Sequence, residues 1–202
     1  PAHAGTLAAL GLVFQRYDDR MVGLFKNSLF IDRFANFFAV VFLIGTAVTI
    51  VLSYISRDLD ERPMGEFYAI MLSAVLGMFL MVESADLLMI FIAVELLSIP
   101  SYLLTGWLKR SRASSEAALK YVIYGSVSSG IMLYGFSLFF GMTGSSKLGA
   151  IADLVQTPTG NPYAIGLAAF LAFAGFGYKM AAVPMHFWAP DVYQGAPTSV
   201  TA

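Results

Sequence analysis

The chain has 202 residues, of which 58% are hydrophobic, and its mean hydropathy is +0.73, more apolar surface than a soluble domain of this length could bury. Its net charge of −1, without a concentrated basic face, excludes nucleic acid as a partner. The lack of cysteine excludes disulfides, thiolate-bound metals, iron–sulfur clusters and a cysteine nucleophile. The composition therefore predicts an all-α, polytopic bundle of membrane helices.

Five apolar segments are predicted to cross the membrane, each span needing roughly 20 mainly apolar residues. They cover about 29–56, 67–82, 87–108, 115–140 and 163–188, and we treat them as one transmembrane domain, 1–202. A shorter apolar stretch at 6–14 could be the end of a further helix. Because the chain begins at Pro1 without methionine and ends without a polar tail, we expect it to be part of a longer protein.

The loops indicate how the bundle is oriented. The loop 109–116 carries the strongest basic cluster, and the positive-inside rule assigns it to the cytoplasm. A short amphipathic helix is expected at 148–155. By alternation, the loop 57–66 and the segment from 189 also lie inside, whereas 15–28, 83–86 and 141–161 lie outside.

The third predicted span carries one charge near its middle, Glu95, followed by Ser98 and Pro100. A charge within the hydrocarbon costs about 2.5 to 3.5 kcal/mol on insertion scales, so it must face protein or water. Pro100 has no N–H to donate, which leaves the carbonyl of Leu96 without its helical partner beside the charge. We therefore expect loosened, wet backbone next to Glu95.

The fifth predicted span repeats this arrangement with the opposite sign at Lys179, five residues before Pro184. The proline deprives the carbonyl of Met180 of its partner, and Gly175 and Gly177 precede the lysine. We expect the helix to be broken where the charge lies, as in interrupted membrane helices that line polar cavities. The alternative is that Lys179 extends its ammonium to the nearer membrane surface.

Glu95 and Lys179 are opposite charges in separate apolar segments, so we expect them to pair inside the membrane. A lone charge there is driven towards its neutral form by loss of hydration, whereas a pair keeps both groups charged. Making and breaking the pair would change the proton affinity of the lysine over a wide range. A proton-pumping element requires this property.

The fourth predicted span begins with a hydroxyl cap and an acidic first turn, Ser114 to Glu116. Lys120 lies about one turn inside, where it could line a channel or extend to the membrane surface. Gly125 and Ser129 form a small-residue pair that permits close approach of a neighbouring helix backbone.

The segment after Lys179 contains further polar candidates. His186 could relay a proton, because histidine titrates near neutrality, or it could lie at the membrane surface beside Trp188. Asp191 is interpreted as a turn or capping residue. His3 and His186 are the only histidines and lie far apart in the sequence, so no metal site is predicted.

Three stretches resemble the antiporter-like membrane subunits of proton-pumping respiratory complex I, which are related to multisubunit cation/proton antiporters. The resemblance runs from Asp32 to the end of the chain. Its closing part, HFWAPDVYQGAP, is most similar to the NADH-quinone oxidoreductase subunit N branch. The three stretches are VELLSIPSYLLTGW around Glu95, EAALKYVIYGSVSSG around Lys120 and FGYKMAAVPMHFWAPDVYQGAPTSV around Lys179.

This resemblance implies an antiporter-like fold with inverted repeats, of which the chain would hold only part of the first. Glu95, Lys120 and Lys179 correspond to a glutamate and two lysines of the family's proton relay, to which we add His186 from the residues. The family mechanism implies that quinone reduction elsewhere in the complex changes such ion pairs and drives proton transfer. The chain would belong to a translocase without carrying a cofactor, a metal or a redox active site.

The resemblance also sets the expected surroundings. The partners would be other membrane subunits of the complex, antiporter-like neighbours and small subunits among them, and the lipid bilayer. The expected location is a bacterial plasma membrane, with the inner mitochondrial and thylakoid membranes as alternatives. Two other functions stay open: a subunit of a multisubunit Na+(K+)/H+ antiporter, and a non-conducting scaffold whose charges fix helix register.

Overall fold

The computed structural model describes residues 2–15, 21–56, 64–156 and 160–201, and most of them are helical. The loop predicted at 57–66 lies largely outside these residues, as do 16–20 of the loop predicted at 15–28 and 157–159 of that at 141–161. The helices are α1 (Ala2–Gln15), α2 (Arg33–Ile55), α3 (Met64–Glu83), α4 (Leu87–Thr105), α5 (Arg112–Thr143), α6 (Leu148–Gln156), α7 (Pro162–Lys179), α8 (Ala189–Gly195) and α9 (Thr198–Thr201), and the strands are β1 (Val22–Leu24) and β2 (Leu29–Ile31).

Four of the described helices, α2 to α5, are long and apolar enough to cross a membrane, which confirms an all-α, polytopic membrane bundle. The fifth predicted span, 163–188, is helical only in its first part. Its helix α7 has 18 residues, about 27 Å at 1.5 Å per residue, and ends at Lys179. Many large apolar side chains face outwards, such as Phe173 at 72% exposed and Val127 at 60% exposed, as expected for lipid or subunit contact.

The core lies where α4, α5 and α7 meet. Its fully buried members include Met132 on α5 and Ala168 on α7, packed beside Phe136 and Val94. Helices α5 and α7 approach closely because Gly135 of α5 has no side chain; a Cβ there would collide with the α7 backbone. The close packing of α5 between α4 and α7 brings side chains of all three helices to one place.

One end of the bundle is tied together by backbone hydrogen bonds. Leu29 of β2 forms a bridge with Ser84, and Asp86 forms another with Lys147. The Leu87 amide also donates to the Ser146 carbonyl at 2.8 Å. The Ala85 amide donates to the Ser28 carbonyl at 2.9 Å, so the three loops predicted on the outer side, 15–28, 83–86 and 141–161, have described residues at the same end of the bundle.

The first span starts later than its hydropathy predicted. Leu29–Ile31 is strand β2, paired with β1, and the helix begins only after Asp32, whose carboxylate accepts from the Ala35 amide at 2.8 Å. Part of the region predicted as loop, Val22–Leu24, is strand β1. A short apolar run does not distinguish strand from helix, and a local cap and hairpin turn decide between them.

Helix α4 differs from the expectation of loosened backbone beside Glu95, because it continues through Pro100 to Thr105. The hydroxyls of Ser98 and Ser101 donate to the Val94 and Leu97 carbonyls at 2.6 and 2.8 Å. These hydroxyl bonds reach the Val94 and Leu97 carbonyls, not the Leu96 carbonyl, whose N–H partner Pro100 cannot supply.

Helix α5 begins before the predicted residue. Its cap is Ser111, whose hydroxyl accepts from the Ser114 amide at 3.3 Å. Ser114, predicted as part of the cap, is fully buried and donates to the Thr105 carbonyl of α4 at 2.7 Å. The helix is therefore 32 residues long and includes part of the loop predicted at 109–116.

Candidate ion-pair site between α4, α5 and α7

Lys179 is the last residue of α7, and the backbone leaves the helix directly after it. The Ala182 amide donates back to the Gly177 carbonyl at 2.7 Å, and Ala181 has a φ of 51°, a left-handed conformation that alanine seldom adopts. Pro184 follows within this turn segment. The helix is thus interrupted where the charge lies, as the glycines and the proline predicted.

The Lys179 ammonium points at one face of α4. Its Nζ lies 3.4 Å from Glu95 Oε1, 2.7 Å from Ser98 Oγ and 3.1 Å from the Tyr102 hydroxyl, donating to all three. Residues three and seven positions apart share a face of a helix, so the three oxygens form one row. The ammonium has three N–H groups, and this row gives each of them an acceptor.

Both charges of the pair are largely removed from the surface. The Lys179 side chain is 13% exposed and that of Glu95 is 24% exposed. Ser129 of α5 donates a short hydrogen bond to Glu95 Oε1, the same oxygen that faces the lysine. At 3.4 Å the ion pair is longer than a tight charged hydrogen bond of about 2.8 Å, so the two groups are paired loosely.

Tyr102 is held by α5. Its side chain is 7% exposed, and its ring packs edge to face on Tyr121 with 4.6 Å between centroids. Its hydroxyl fills the space above Gly125, where any Cβ would overlap it. Gly125 and Ser129 were predicted to permit close approach of a helix backbone. In the structure, Gly125 instead makes room for the Tyr102 hydroxyl, and Ser129 donates a hydrogen bond to Glu95.

Lys120 lies in a second charged cluster, with a different partner. Its Nζ contacts Asp191 Oδ2 at 2.5 Å and Glu116 Oε1 at 2.8 Å, and the three side chains are between 36% and 66% exposed. Asp191, interpreted as a turn or capping residue, lies in the first turn of α8, and its carboxylate accepts from Lys120. The cluster borders a surface cleft of 230 Å³.

His186 joins neither cluster. It is exposed in the turns between α7 and α8, and its imidazole makes no hydrogen bond or ion pair with the described residues. Its neighbour Trp188 is buried, stacks on Tyr121 and donates from Nε1 to the Tyr178 carbonyl at 3.0 Å. Trp188 therefore fixes the turn segment against α5, whereas His186, two residues earlier, is exposed.

Tyr102, Ser98, Ser129 and Asp191 were not assigned from the sequence as partners of the charged residues. Tyr102 and Ser98 could have been found, because they lie seven and three positions after Glu95 on one helix face. Ser129 and Asp191 carry no comparable signal, since their partners lie 34 and 71 residues away in the chain. Within the described parts of the chain, no three His, Asp or Glu side chains are grouped closely enough to hold a metal.

Comparison with known proteins finds matches along almost the whole chain. The family model described as NADH:quinone oxidoreductase/Mrp antiporter, TM, matches residues 84–202. NADH-quinone oxidoreductase subunit N 2 of Chloroherpeton thalassium is 42% identical, with 97% of this chain and 40% of that protein covered. Subunit N of Chlorobium chlorochromatii is also 42% identical, with 98% and 39% covered. The chain thus spans about two fifths of the length of these curated relatives.

Solved structures show the same architecture. A chain of respiratory complex I from Thermus thermophilus is 35% identical and superimposes with a TM-score of 0.82, covering 98% of this chain and 42% of that one. A chain of an archaeal membrane-bound sulfane sulfur reductase, at 22% identity, shares the fold with a TM-score of 0.87 over 99% of this chain and 43% of that one.

Proposed function

Because the chain belongs to the NADH:quinone oxidoreductase/Mrp antiporter transmembrane family, we propose that it is part of a proton-translocating membrane subunit of an NADH:quinone oxidoreductase. Its similarity to proteins named subunit N supports this branch of the family over the others. The proposal needs no cofactor in this chain. Its partners would be neighbouring membrane subunits and lipid, and bacterial relatives favour a plasma membrane.

The observation that carries the proposal is the contact of 3.4 Å between Glu95 and Lys179 inside an apolar bundle. While Glu95 is ionised and near, its charge favours the ammonium form of Lys179. If Glu95 is neutralised or moves away, burial favours the neutral amine, and the ammonium gives its proton to water or to the next basic group. Quinone reduction elsewhere in the complex would drive this change, with Lys179 as carrier and Glu95 as its modulator.

We place Lys120 at the water-exposed end of the relay. It lies nine residues before Ser129 on α5, about 13 Å along the helix axis from the Glu95 contact. The cleft beside it admits water, and Asp191 and Glu116 hold its charged form. His186 has the weakest support, since its imidazole is exposed and bonded to neither cluster.

Replacement of Lys179 by methionine in the whole complex tests this function. The variant should assemble, keep its electron-transfer subunits and lose most proton pumping coupled to quinone reduction, measured in membrane vesicles. Lys147→Met is a matched control, because Lys147 is an exposed lysine in the loop before α6 and its loss should leave pumping unchanged. Full pumping by the Lys179 variant would refute the proposal.

The same variants separate the two alternative functions. A non-conducting scaffold predicts that Lys179→Met prevents assembly, which native electrophoresis detects, while any complex that does assemble pumps normally. A Na+(K+)/H+ antiporter subunit predicts sodium-dependent proton exchange in vesicles without NADH or quinone.

A further inference from the structure

Helix α4 offers the Lys179 ammonium more than a carboxylate. Glu95, Ser98 and Tyr102 form a row of oxygens on one face, about 10 Å from first to last residue along the axis. Nζ is already nearer to Ser98 and Tyr102, at 2.7 and 3.1 Å, than to Glu95, at 3.4 Å. The ammonium therefore lies between the carboxylate and two neutral acceptors.

We propose that Tyr102 is a positioning residue that holds the Lys179 ammonium on the side of the row away from Glu95, so that the lysine gives up its proton less readily once the carboxylate is neutralised. This inference rests on the proposed function and adds a residue that sets how readily Lys179 gives up its proton. Ser98 lies between the two positions, and its hydroxyl donates to Val94, which leaves its oxygen free to accept from the lysine.

The structure fixes Tyr102 for this task. Its ring is buried against Tyr121, and the lack of a side chain at Gly125 gives its hydroxyl a socket. A tyrosine held only for packing would not need its hydroxyl within hydrogen-bond distance of a buried cation.

Among the residues that the structure describes, four ionisable groups lie at or next to the Lys179 site. From α4, Glu95 and Tyr102 contact the ammonium. From α5, Tyr121 touches the Tyr102 ring, and Tyr178 on α7 packs on Trp188 and bonds to the Tyr121 carbonyl at 3.5 Å. Removing the Tyr102 hydroxyl therefore takes one acceptor from the ammonium and leaves the charge of Glu95 in place.

Tyr102→Phe in the assembled complex is the direct test. Loss of an acceptor disfavours the ammonium, so the alkaline limb of the pH profile of proton pumping should move to lower pH. A shift of about one unit corresponds to a tenfold lower proton affinity, the size expected for one hydrogen bond to a charged group. Tyr134→Phe removes the hydroxyl of an exposed tyrosine of α5 and should leave the profile unchanged.

Gly125→Ala provides a second variant that keeps the hydroxyl but displaces it. The added methyl would overlap the Tyr102 oxygen, so the alkaline limb should move in the same direction. Gly130→Ala is its control, because a Cβ there meets nothing within 4 Å. If Tyr102→Phe does not assemble, the comparison of Gly125→Ala with Gly130→Ala decides the question.

The outcomes distinguish the two proposals. Loss of pumping in Lys179→Met with unshifted profiles in Tyr102→Phe and Gly125→Ala would overturn the role of Tyr102 and leave the proposed function standing. Full pumping in Lys179→Met would overturn the proposed function itself. An alkaline limb that moves equally in Tyr134→Phe would also overturn the role of Tyr102, since the effect would not depend on the lysine contact.

Discussion

Glu95 and Lys179 lie 84 positions apart in the chain, yet their charged atoms are separated by 3.4 Å. They meet because α4 and α7 both pack on α5, and each presents one charged residue to the space between them. Removing one partner of a buried pair leaves the other charge uncompensated, which typically costs about 3 to 5 kcal/mol. The pair therefore matters for both stability and proton affinity.

Glu95→Gln should keep the shape of the site and remove its negative charge. The neutral amide favours the ammonium of Lys179 less than the carboxylate does. The proton affinity of Lys179 should therefore no longer change when quinone reduction elsewhere in the complex alters the contact between the two side chains. We expect coupled proton pumping to fall roughly tenfold or more, equivalent to about 1.4 kcal/mol. Pumping assays in vesicles measure this, and Glu66→Gln, an exposed glutamate of α3, is the matched control.

Lys120 and Asp191 should act as one unit. Since each is the other's main partner, Lys120→Met and Asp191→Asn are expected to reduce pumping by similar factors, and the double variant should be no worse than either one. Stability should change little, because the side chains are partly exposed. Additive losses in this double-mutant cycle would show that the contact is not used in proton transfer.

Packing of α5 on α7 should depend on Gly135. Alanine there would drive its methyl into the backbone at Ala168 and Ala172, and overpacking of this kind costs about 1 to 3 kcal/mol. Thermal unfolding of the purified complex should show a lower Tm for Gly135→Ala. Gly130→Ala on the same helix has open space and should leave Tm equal or higher.

Asp86 should stabilise the tied end of the bundle. Its Oδ1 accepts from the Leu88 amide at 2.9 Å, and its Oδ2 accepts from the Ser146 hydroxyl at 2.6 Å. Asp86→Ala removes this helix cap, at a typical cost of about 1 kcal/mol, and also the link to Ser146. Protease should then cleave the loop before α6 faster than in Asp153→Ala, an exposed aspartate of α6.

The orientation of the bundle in the membrane can be tested by labelling introduced cysteines, because the chain contains no cysteine of its own. Lys147 lies at the end of the bundle where the loops are joined by backbone hydrogen bonds. We predict that Lys147→Cys reacts with a membrane-impermeant maleimide in intact spheroplasts. Ser115→Cys, at the start of α5 on the other side of the span, should react only after permeabilisation. Reaction in the reverse pattern would invert the orientation inferred from the basic cluster at 109–116.

The sequence by itself determined the membrane bundle, the two charged residues within apolar runs and the end of α7 at Lys179. Each is a local property: hydropathy over about 20 residues, a lone charge, and a proline without an N–H beside glycines. Local reasoning was less accurate at Leu29–Ile31 and at Pro100. At Leu29–Ile31, strand pairing, which hydropathy does not record, decided the backbone; at Pro100, the helix continues although the proline removes one backbone hydrogen bond.

Only the tertiary structure decided which groups surround the charges. It placed Tyr102 and Ser98 beside Lys179, Ser129 on Glu95, and Asp191 on Lys120. The contacts to Ser129 and Asp191 join residues on different helices, so they depend on how α5 packs against α4 and α8. Helix packing is a property of the whole bundle, and no single segment of the sequence contains it.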